Sequence, residues 1–196
     1  MANTNLDEPF TLFQRWYGEA IEKEIDVPSA MSVATVDAQG RPSSRMVLLK
    51  EHGASGFVFY TNLESRKAGE IAQNPNVSLL FHWKSLKKQV RIEGTASKVD
   101  DATADAYFAS RDRGSQIGAW ASKQSHRMEG KHDLEKQVAL HAAKFGVAKI
   151  PRPPFWSGYR VTPSHFEFWD DGKFRLHERI VYDRAAEGWQ THRLFP

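Results

Sequence analysis

The chain has 196 residues, 40% of them hydrophobic and 26% charged, with 27 Lys and Arg against 24 Asp and Glu for a net charge of +3. These values sit near globular averages, which excludes a disordered chain and leaves enough length to bury a core of its own. The mild basic excess allows anionic small molecules without demanding nucleic acid, and the complete lack of cysteine excludes disulfides, thiolate metal sites and a cysteine nucleophile.

Residues 9–25 form the first predicted element, an amphipathic helix. Leu12, Phe13, Trp16, Tyr17, Ala20, Ile21 and Ile25 recur at three- and four-residue spacing, with Asp7 and Pro9 as start signals. The period then changes. Residues 30–37, 43–50, 56–62, 77–83 and 89–99 are short runs rich in Val, Phe, Leu and Ile between turn residues, which predicts strands. Asp37-Ala38-Gln39-Gly40 reads as a hairpin connection. A short helix over 65–73 interrupts the series and stops at Asn74-Pro75. Helical patterns return over 101–111 and 129–145, with a shorter one over 115–122. After Pro151-Arg152-Pro153-Pro154 come three more strands, 158–169, 174–183 and 189–194, with turns at Asp170-Asp171-Gly172 and Glu187-Gly188.

Seven or eight strands with helices between or outside them do not make a doubly wound sheet. They predict an α+β, mainly β chain: an antiparallel, Greek-key-like barrel with peripheral helices. No repeat or linker divides the chain, so one domain over residues 1–196 is expected, its C-terminal strands completing the barrel. The N-terminus lacks a signal-peptide pattern, and no apolar run approaches the roughly 20 residues needed to span a bilayer. A cytoplasmic protein without a membrane partner is expected.

Several cations stand where an anion would suit them. Arg66 and Lys67 fall in the first turn of the 65–73 helix, where the dipole disfavours cations and acidic residues are the ordinary choice. Free backbone N–H groups with Arg and Lys there make a receptor for a phosphate dianion; the alternative is two side chains extended into water. Arg45 and Lys50 bracket a second strand, and strict alternation sends them to opposite faces. Both serve one ligand only if that strand bulges or Lys50 lies past its end. Tyr107 and Arg111 share a helical face at four-residue spacing, with Ser115 on the following turn or the next helix. The three make an oxyanion clamp or, equally, a surface pair with a capping serine. On a strand over 174–183, Arg175, His177 and Arg179 share one face, with Leu176, Glu178 and Ile180 on the other. That face is either solvated or neutralised by an anion.

The basic stretch Lys84, Lys87, Lys88 and Arg91 reads as a solvated hairpin rather than a nucleic-acid patch. The histidines show no metal-ligand spacing, so no metal is expected. Walker, Gly-x-Gly-x-x-Gly and Gly-x-Ser-x-Gly motifs do not occur. Anion receptors without a nucleophile or metal suit a bound organic cofactor that performs the difficult step.

Taken in order, Ser44 to Lys50, Phe59-Tyr60-Thr61-Asn62, Ser65-Arg66-Lys67-Ala68, Gln89-Val90, Ser122-Lys123-Gln124-Ser125, Pro151 to Val161, Phe166-Glu167-Phe168-Trp169 and Arg175-Leu176-His177-Glu178-Arg179 resemble the pyridoxine/pyridoxamine 5′-phosphate oxidases. The resemblance covers nearly the whole chain. It implies an FMN-binding split β-barrel working as a homodimer, with FMN held between subunits. The stretch Arg45, Met46, Val47, Leu48, Leu49 and Lys50 would contact FMN, as would Tyr60, Thr61, Arg66 and Lys67. Gln89, Gln124, Ser125, Trp169 and Arg179 complete that set. Lys50, Tyr107, Arg111 and Ser115 would clamp the vitamer's 5′-phosphate, while Arg175, Leu176 and His177 would meet its ring, with Arg175 and His177 as the catalytic pair. Arg179, on the same face, would require flavin and vitamer to stack side by side. Family members commonly carry a longer, Arg-rich N-terminal arm over the site. Here no arginine occurs before Arg15, so closure is expected to differ.

The implied reaction converts pyridoxamine or pyridoxine 5′-phosphate to pyridoxal 5′-phosphate, with hydride transfer to FMN and reoxidation by dioxygen to give hydrogen peroxide. Two other readings stand beside it: a related split-barrel flavin oxidoreductase with another substrate, and a non-catalytic carrier of FMN or pyridoxal phosphate.

Overall fold

The computed structural model describes residues 8–196. The start signal at Asp7 and the arm before it lie outside the described residues. The strands are β1 (Ala30–Val36), β2 (Pro42–Leu48), β3 (Glu51–Gly53), β4 (Gly56–Asn62), β5 (Asn76–Trp83), β6 (Lys88–Lys98), β7 (Trp156–Asp170), β8 (Glu178–Arg184) and β9 (Trp189–Arg193). The helices are α1 (Glu8–Lys23), α2 (Arg66–Gln73), α3 (Asp101–Ser110), α4 (Arg113–Ala121) and α5 (Asp133–Phe145).

All the strand pairs are antiparallel, in the order β2-β1-β5-β6-β7-β4-β3, and β8 and β9 continue from β7. Asp37 makes the first hairpin: its carboxylate accepts from the Gln39 and Arg41 N–H groups, and Gly40 takes the left-handed φ of 77° that the turn requires. β7 is long enough to pair with β4 through its first half and with β8 through its second. Between β6 and β7 the register shifts at Glu93/Gly94, opposite Pro163. A bulge is where a central strand tolerates a proline, and it adds the bend a curled sheet needs. At the far edges, the Lys50 N–H donates to the Val58 carbonyl at 2.8 Å and the Leu49 N–H to Ser29 at 2.8 Å, drawing the end of β2 towards β4. The sheet thus curls into a half-barrel.

Alternation puts Met31, Val33, Leu79, Phe81, Val90, Ile92, Phe166 and Phe168 on the inner face, all essentially fully buried. Helix α1 fills the concavity. The Phe13 ring lies 4.8 Å from Phe57 and 5.1 Å from Phe81, and Trp16 lies 5.3 Å from Phe168. Each such side chain contributes about 1.5–3 kcal/mol on burial. Outside β4 and β7, α3 packs Ala104 on Val58 and Val99, while Phe108, Ile150 and Trp156 form a further small core towards α4.

Several sequence expectations need correction. Ile21 and Ile25 are 59% and 93% exposed, because the helix ends at Lys23 and only Pro9, Phe13, Trp16 and Ala20 among its apolar residues are fully buried. The three-residue strand β3 is an addition to the predicted set. The strand expected over 174–183 begins only at Glu178. Phe174 and Arg175 take left-handed φ values of 58° and 64°, and a Cβ on Gly172 would meet the Leu176 carbonyl oxygen at 1.8 Å. The chain doubles back over 171–177, so Arg175 and His177 do not share a strand face with Arg179. The basic stretch is a hairpin: Lys87 pairs with Asp171, and Lys88 pairs with Glu19 at 2.7 Å over the Trp16 ring.

Candidate active site

The N-terminus of α2 is the first receptor. Ser65 is its N-cap without a side-chain capping bond, and its first turn holds no acid. The Arg66 N–H instead donates to the Ser125 hydroxyl at 3.3 Å, brought over from the segment after α4. The Lys67 ammonium is buried and donates to Gln124 Oε1 at 2.7 Å, to Thr61 Oγ1 at 2.9 Å and to Ser65 Oγ at 3.3 Å. Among the described residues no carboxylate lies within ion-pair distance of it. Burial, helped by the nearby Arg45 charge, pulls its pKa down to about 8. A buried lysine held by neutral oxygens at a helix start is a ready site for an anion.

Glu70 explains where the neighbouring arginines sit. Its buried carboxylate accepts from Ser43 at 2.6 Å, Thr35 at 2.5 Å, Arg66 Nε at 2.8 Å and Arg45 Nη2 at 3.3 Å. Desolvation alone would raise its pKa, but the Ser43, Thr35 and Arg66 hydrogen bonds outweigh it and hold the group at about 2. Arg45 and Arg66 are therefore turned onto this carboxylate, beside the Lys67 cradle rather than in it.

The second receptor lies where α3 meets α4. Arg111 is the C-cap of α3, with extended backbone, and is not on the helical face with Tyr107 as its spacing predicts. Its guanidinium stacks 4.9 Å from the Trp156 ring and 5.7 Å from Phe108. Its Nη1 is buried without a hydrogen-bond partner among the described residues, and burial lowers its pKa. Ser115 lies in the first turn of α4, whose N-cap Asp112 accepts from the Ser115 N–H at 2.8 Å. Lys50 follows the end of β2 and places its ammonium 5.9 Å from the centre of the Tyr107 ring. Tyr107 stacks on Tyr60 at 3.9 Å, and Tyr60 stacks on Trp156 at 5.2 Å, giving one continuous aromatic wall. Burial and the Glu51 charge push the Tyr60 phenol up to about 12, so it stays neutral.

Both receptors open into one cleft of about 610 Å³. Met46, Val47, Leu48, Lys50, Tyr60, Thr61, Lys67 and Gln124 line it together with Tyr107, Arg111 and Ser115. Six lining residues are absent from the predicted site: Asn62, which donates to the Ser122 carbonyl at 3.2 Å, the cap Asp112, Gly118, Ala119, Ser122 and Trp156. Asn62, Ser122 and Trp156 stand inside the motif stretches named above, while Asp112, Gly118 and Ala119 carried no signal.

The remaining predicted residues stand elsewhere. Leu49 is buried in the core, and Arg66 borders an open depression with Arg41 and Gln73. Gln89, Trp169 and Arg179 form one rung across β6, β7 and β8. The His177 ring lies 4.6 Å from Trp169, with Nδ1 3.0 Å from Asp171 Oδ1. Arg175 and Leu176 are exposed on the same loop. This rung shares the outer sheet face with Met46: the next rung runs Met46, Ser32, Leu80, Arg91, Glu167. Within one chain the structure does not bring this group to the cleft.

Among the described residues there is no His, Asp and Glu cluster arranged to hold a metal, and no helix is long and apolar enough to cross a membrane.

Residues 17–142 match the family described as "Pyridoxamine 5'-phosphate oxidase", and residues 156–196 match "Pyridoxine 5'-phosphate oxidase C-terminal dimerisation region". The chain is 60% identical over 190 residues to the pyridoxine/pyridoxamine 5'-phosphate oxidase of Caulobacter vibrioides, covering 97% of this chain and 86% of that protein. It is 54% identical to the Rhodospirillum rubrum protein of that name, covering 96% of each. Among solved structures it is similar to PhzG from Burkholderia lata 383 in complex with tetrahydrophenazine-1-carboxylic acid, at 32% identity and a TM-score of 0.91, over 99% of this chain and 95% of that one. A pyridoxamine 5'-phosphate oxidase-related, FMN binding protein from Nostoc punctiforme shares the fold at 17% identity and a TM-score of 0.76, over 94% and 97% of the two chains.

Proposed function

The chain belongs to the pyridoxine/pyridoxamine 5′-phosphate oxidase family, and from that premise we propose that it oxidises pyridoxamine or pyridoxine 5′-phosphate to pyridoxal 5′-phosphate, using FMN, as a homodimer. The observation that carries this reading is the pair of anion receptors in one cleft. Two ligands that each bring a phosphate need two such places.

Lys67, the α2 N-terminus, Thr61, Gln124 and Ser125 would hold the FMN phosphate, with Arg45 and Arg66 adding positive charge alongside. The buried Lys67 ammonium, held only by neutral oxygens and with no carboxylate within ion-pair distance among the described residues, fits that group. Lys50, Tyr107, Arg111 and Ser115 would hold the phosphate of the vitamer, and the orphaned Arg111 Nη1 fits that one. When bound, FMN would supply the redox chemistry, as acceptor of the C4′ hydride and then as donor of two electrons to dioxygen, giving hydrogen peroxide; with pyridoxamine 5′-phosphate a water must also enter and the amine leave as ammonia. The protein's share is orientation, charge and exclusion of water. The Tyr60–Tyr107–Trp156 wall gives the vitamer clamp a rigid back. His177, held at Nδ1 by the Gly172 N–H at 3.3 Å and lying 3.0 Å from Asp171 Oδ1, would orient the substrate ring.

Arg175, His177, Trp169, Arg179 and Gln89 reach a cleft only if a second copy supplies them. The matched dimerisation region spans 156–196 and contains all of these but Gln89. Their rung and the cleft rim at Met46 lie on one sheet face, where Met46 is 64% exposed and Leu48 42%. A twofold-related copy on that face would set the rung of one subunit against the cleft of the other. The exposed Phe174, Arg175 and Leu176, held in a strained loop, suit such a reach.

The test is anaerobic mixing of the FMN-loaded protein with pyridoxamine 5′-phosphate. Prompt bleaching of the flavin band with formation of pyridoxal 5′-phosphate is expected. An oxidoreductase for another substrate, or a carrier, would leave the band unchanged.

A further inference from the structure

Glu167 is an unusual residue for the middle of β7. It is 3% exposed, yet it carries a carboxylate. Both oxygens are engaged: Oε1 accepts from Arg179 Nε at 2.7 Å, and Oε2 accepts from Arg91 Nη2 at 2.6 Å. Those bonds, with the two arginine charges, keep it ionised below the usual carboxylate range in spite of the burial that opposes it.

A buried ion pair of this kind is a poor way to stabilise a sheet. Desolvation consumes most of the Coulombic gain, and apolar residues of similar size usually do as well. What a carboxylate adds is direction. Arg179 donates through Nε to Glu167 and through Nη1 to the Phe195 carbonyl at 3.0 Å. Two edges of the planar guanidinium are thereby fixed, and Nη2 makes no hydrogen bond among the described residues. Arg179 pairs across the strands with Trp169, which pairs with Gln89. Glu167 stands one rung away on the same face, between Arg91 and Val181.

We propose that Glu167 is a positioning residue for the flavin site, acting through Arg179: it locks the guanidinium so that the free Nη2 edge is presented to the cofactor together with Trp169 and Gln89. This rests on the reading of Arg179 as an FMN contact. It extends that reading to a residue that touches no ligand.

The test is a double-mutant cycle on FMN affinity, read by quenching of flavin fluorescence on titration into the apo dimer, together with the visible spectrum of the bound flavin. Arg179→Ala is expected to weaken FMN binding by roughly tenfold or more, the ordinary scale for a lost charge-assisted contact. Glu167→Gln keeps size but loses charge, and should weaken binding several-fold and shift the flavin band in the same direction. In the Arg179→Ala background it should add nothing. Thermal unfolding of each apo protein checks the fold. If Glu167→Gln does not fold, Glu167→Asp, which keeps the charge but falls short of Arg179, takes its place in the cycle with the same expectation. Additive losses, or a Glu167 variant that binds FMN like the parent while Arg179→Ala does not, would overturn the positioning role alone. An Arg179→Ala protein with unchanged FMN affinity would overturn both it and the reading beneath it.

Discussion

Tyr60 and Gly158 face each other across β4 and β7, and a Cβ on Gly158 would stand 2.8 Å from the Tyr60 ring. The glycine is there for the tyrosine. Its missing side chain leaves the ring flat against Tyr107 at 3.9 Å, and so sets the back wall of the cleft. Gly158→Ala should push the ring off this stack, raising KM for the phosphorylated vitamer several-fold and costing about 1–3 kcal/mol of stability through overpacking. Steady-state kinetics and thermal unfolding check it. An unchanged KM would show that the wall tolerates a displaced Tyr60.

With Lys67 in the proposed phosphate site, cofactor loading should depend on pH. Its pKa in the free protein is about 8, below the ordinary lysine value, because burial disfavours the charge. A phosphate dianion beside it favours the charged form, so the bound-state value must be higher. Binding then takes up a proton between those two values, and affinity falls as pH rises through 8, by up to about tenfold per pH unit. Below pH 7 the lysine is already charged and its contribution to the slope vanishes. Riboflavin, which lacks the phosphate, should show no such slope, and Lys67→Met should abolish it for FMN. An FMN-to-riboflavin affinity ratio that is flat from pH 7 to pH 9.5 would count against the assignment.

The phosphate clamp and the ring contacts should separate kinetically. In the proposed site Arg111 would hold a group remote from the reacting carbon, so Arg111→Ala should chiefly raise KM, by roughly ten- to hundred-fold. His177→Ala and Arg175→Ala should also slow anaerobic flavin reduction at saturating substrate, because a misplaced ring loses its near-attack geometry. Slowed reduction in Arg111→Ala with unchanged reduction in the other two would mean the halves are reversed.

Features encoded over a few residues were legible in the sequence. The Asp37–Gly40 hairpin, the β4 strand and the cation-rich start of α2 follow from local turn chemistry, alternation and dipole arguments, and the structure has them within a residue or two. Features that depend on distant partners were not. Arg66 looks like a free cation until Glu70, one turn on, is seen to gather Arg45 from β2 as well. Lys50 could be placed only once β2 was seen to end at Leu48. Residues 174–177 alternate like a strand, but the contact of Gly172 with the Leu176 carbonyl decides against it. Trp156 is one unassigned member of the motif stretch from Pro151 to Val161, and only the fold puts it beneath Arg111.

The central claim is that each site is built from the cleft of one subunit and the loop and rung of the other, and mixing two impaired variants, assayed at substrate well below the parent KM, tests it most directly. Arg111→Ala damages the cleft side, and the double variant Arg175→Ala/His177→Ala damages the loop side. When equal amounts are dissociated and reassociated, half of the dimers are hybrids. In each hybrid one site carries both defects and the other carries none, so the mixture should recover about a quarter of the parent activity. Activity in the mixture no higher than the average of the two variants alone would place both sets of residues in the same subunit's site and contradict the account.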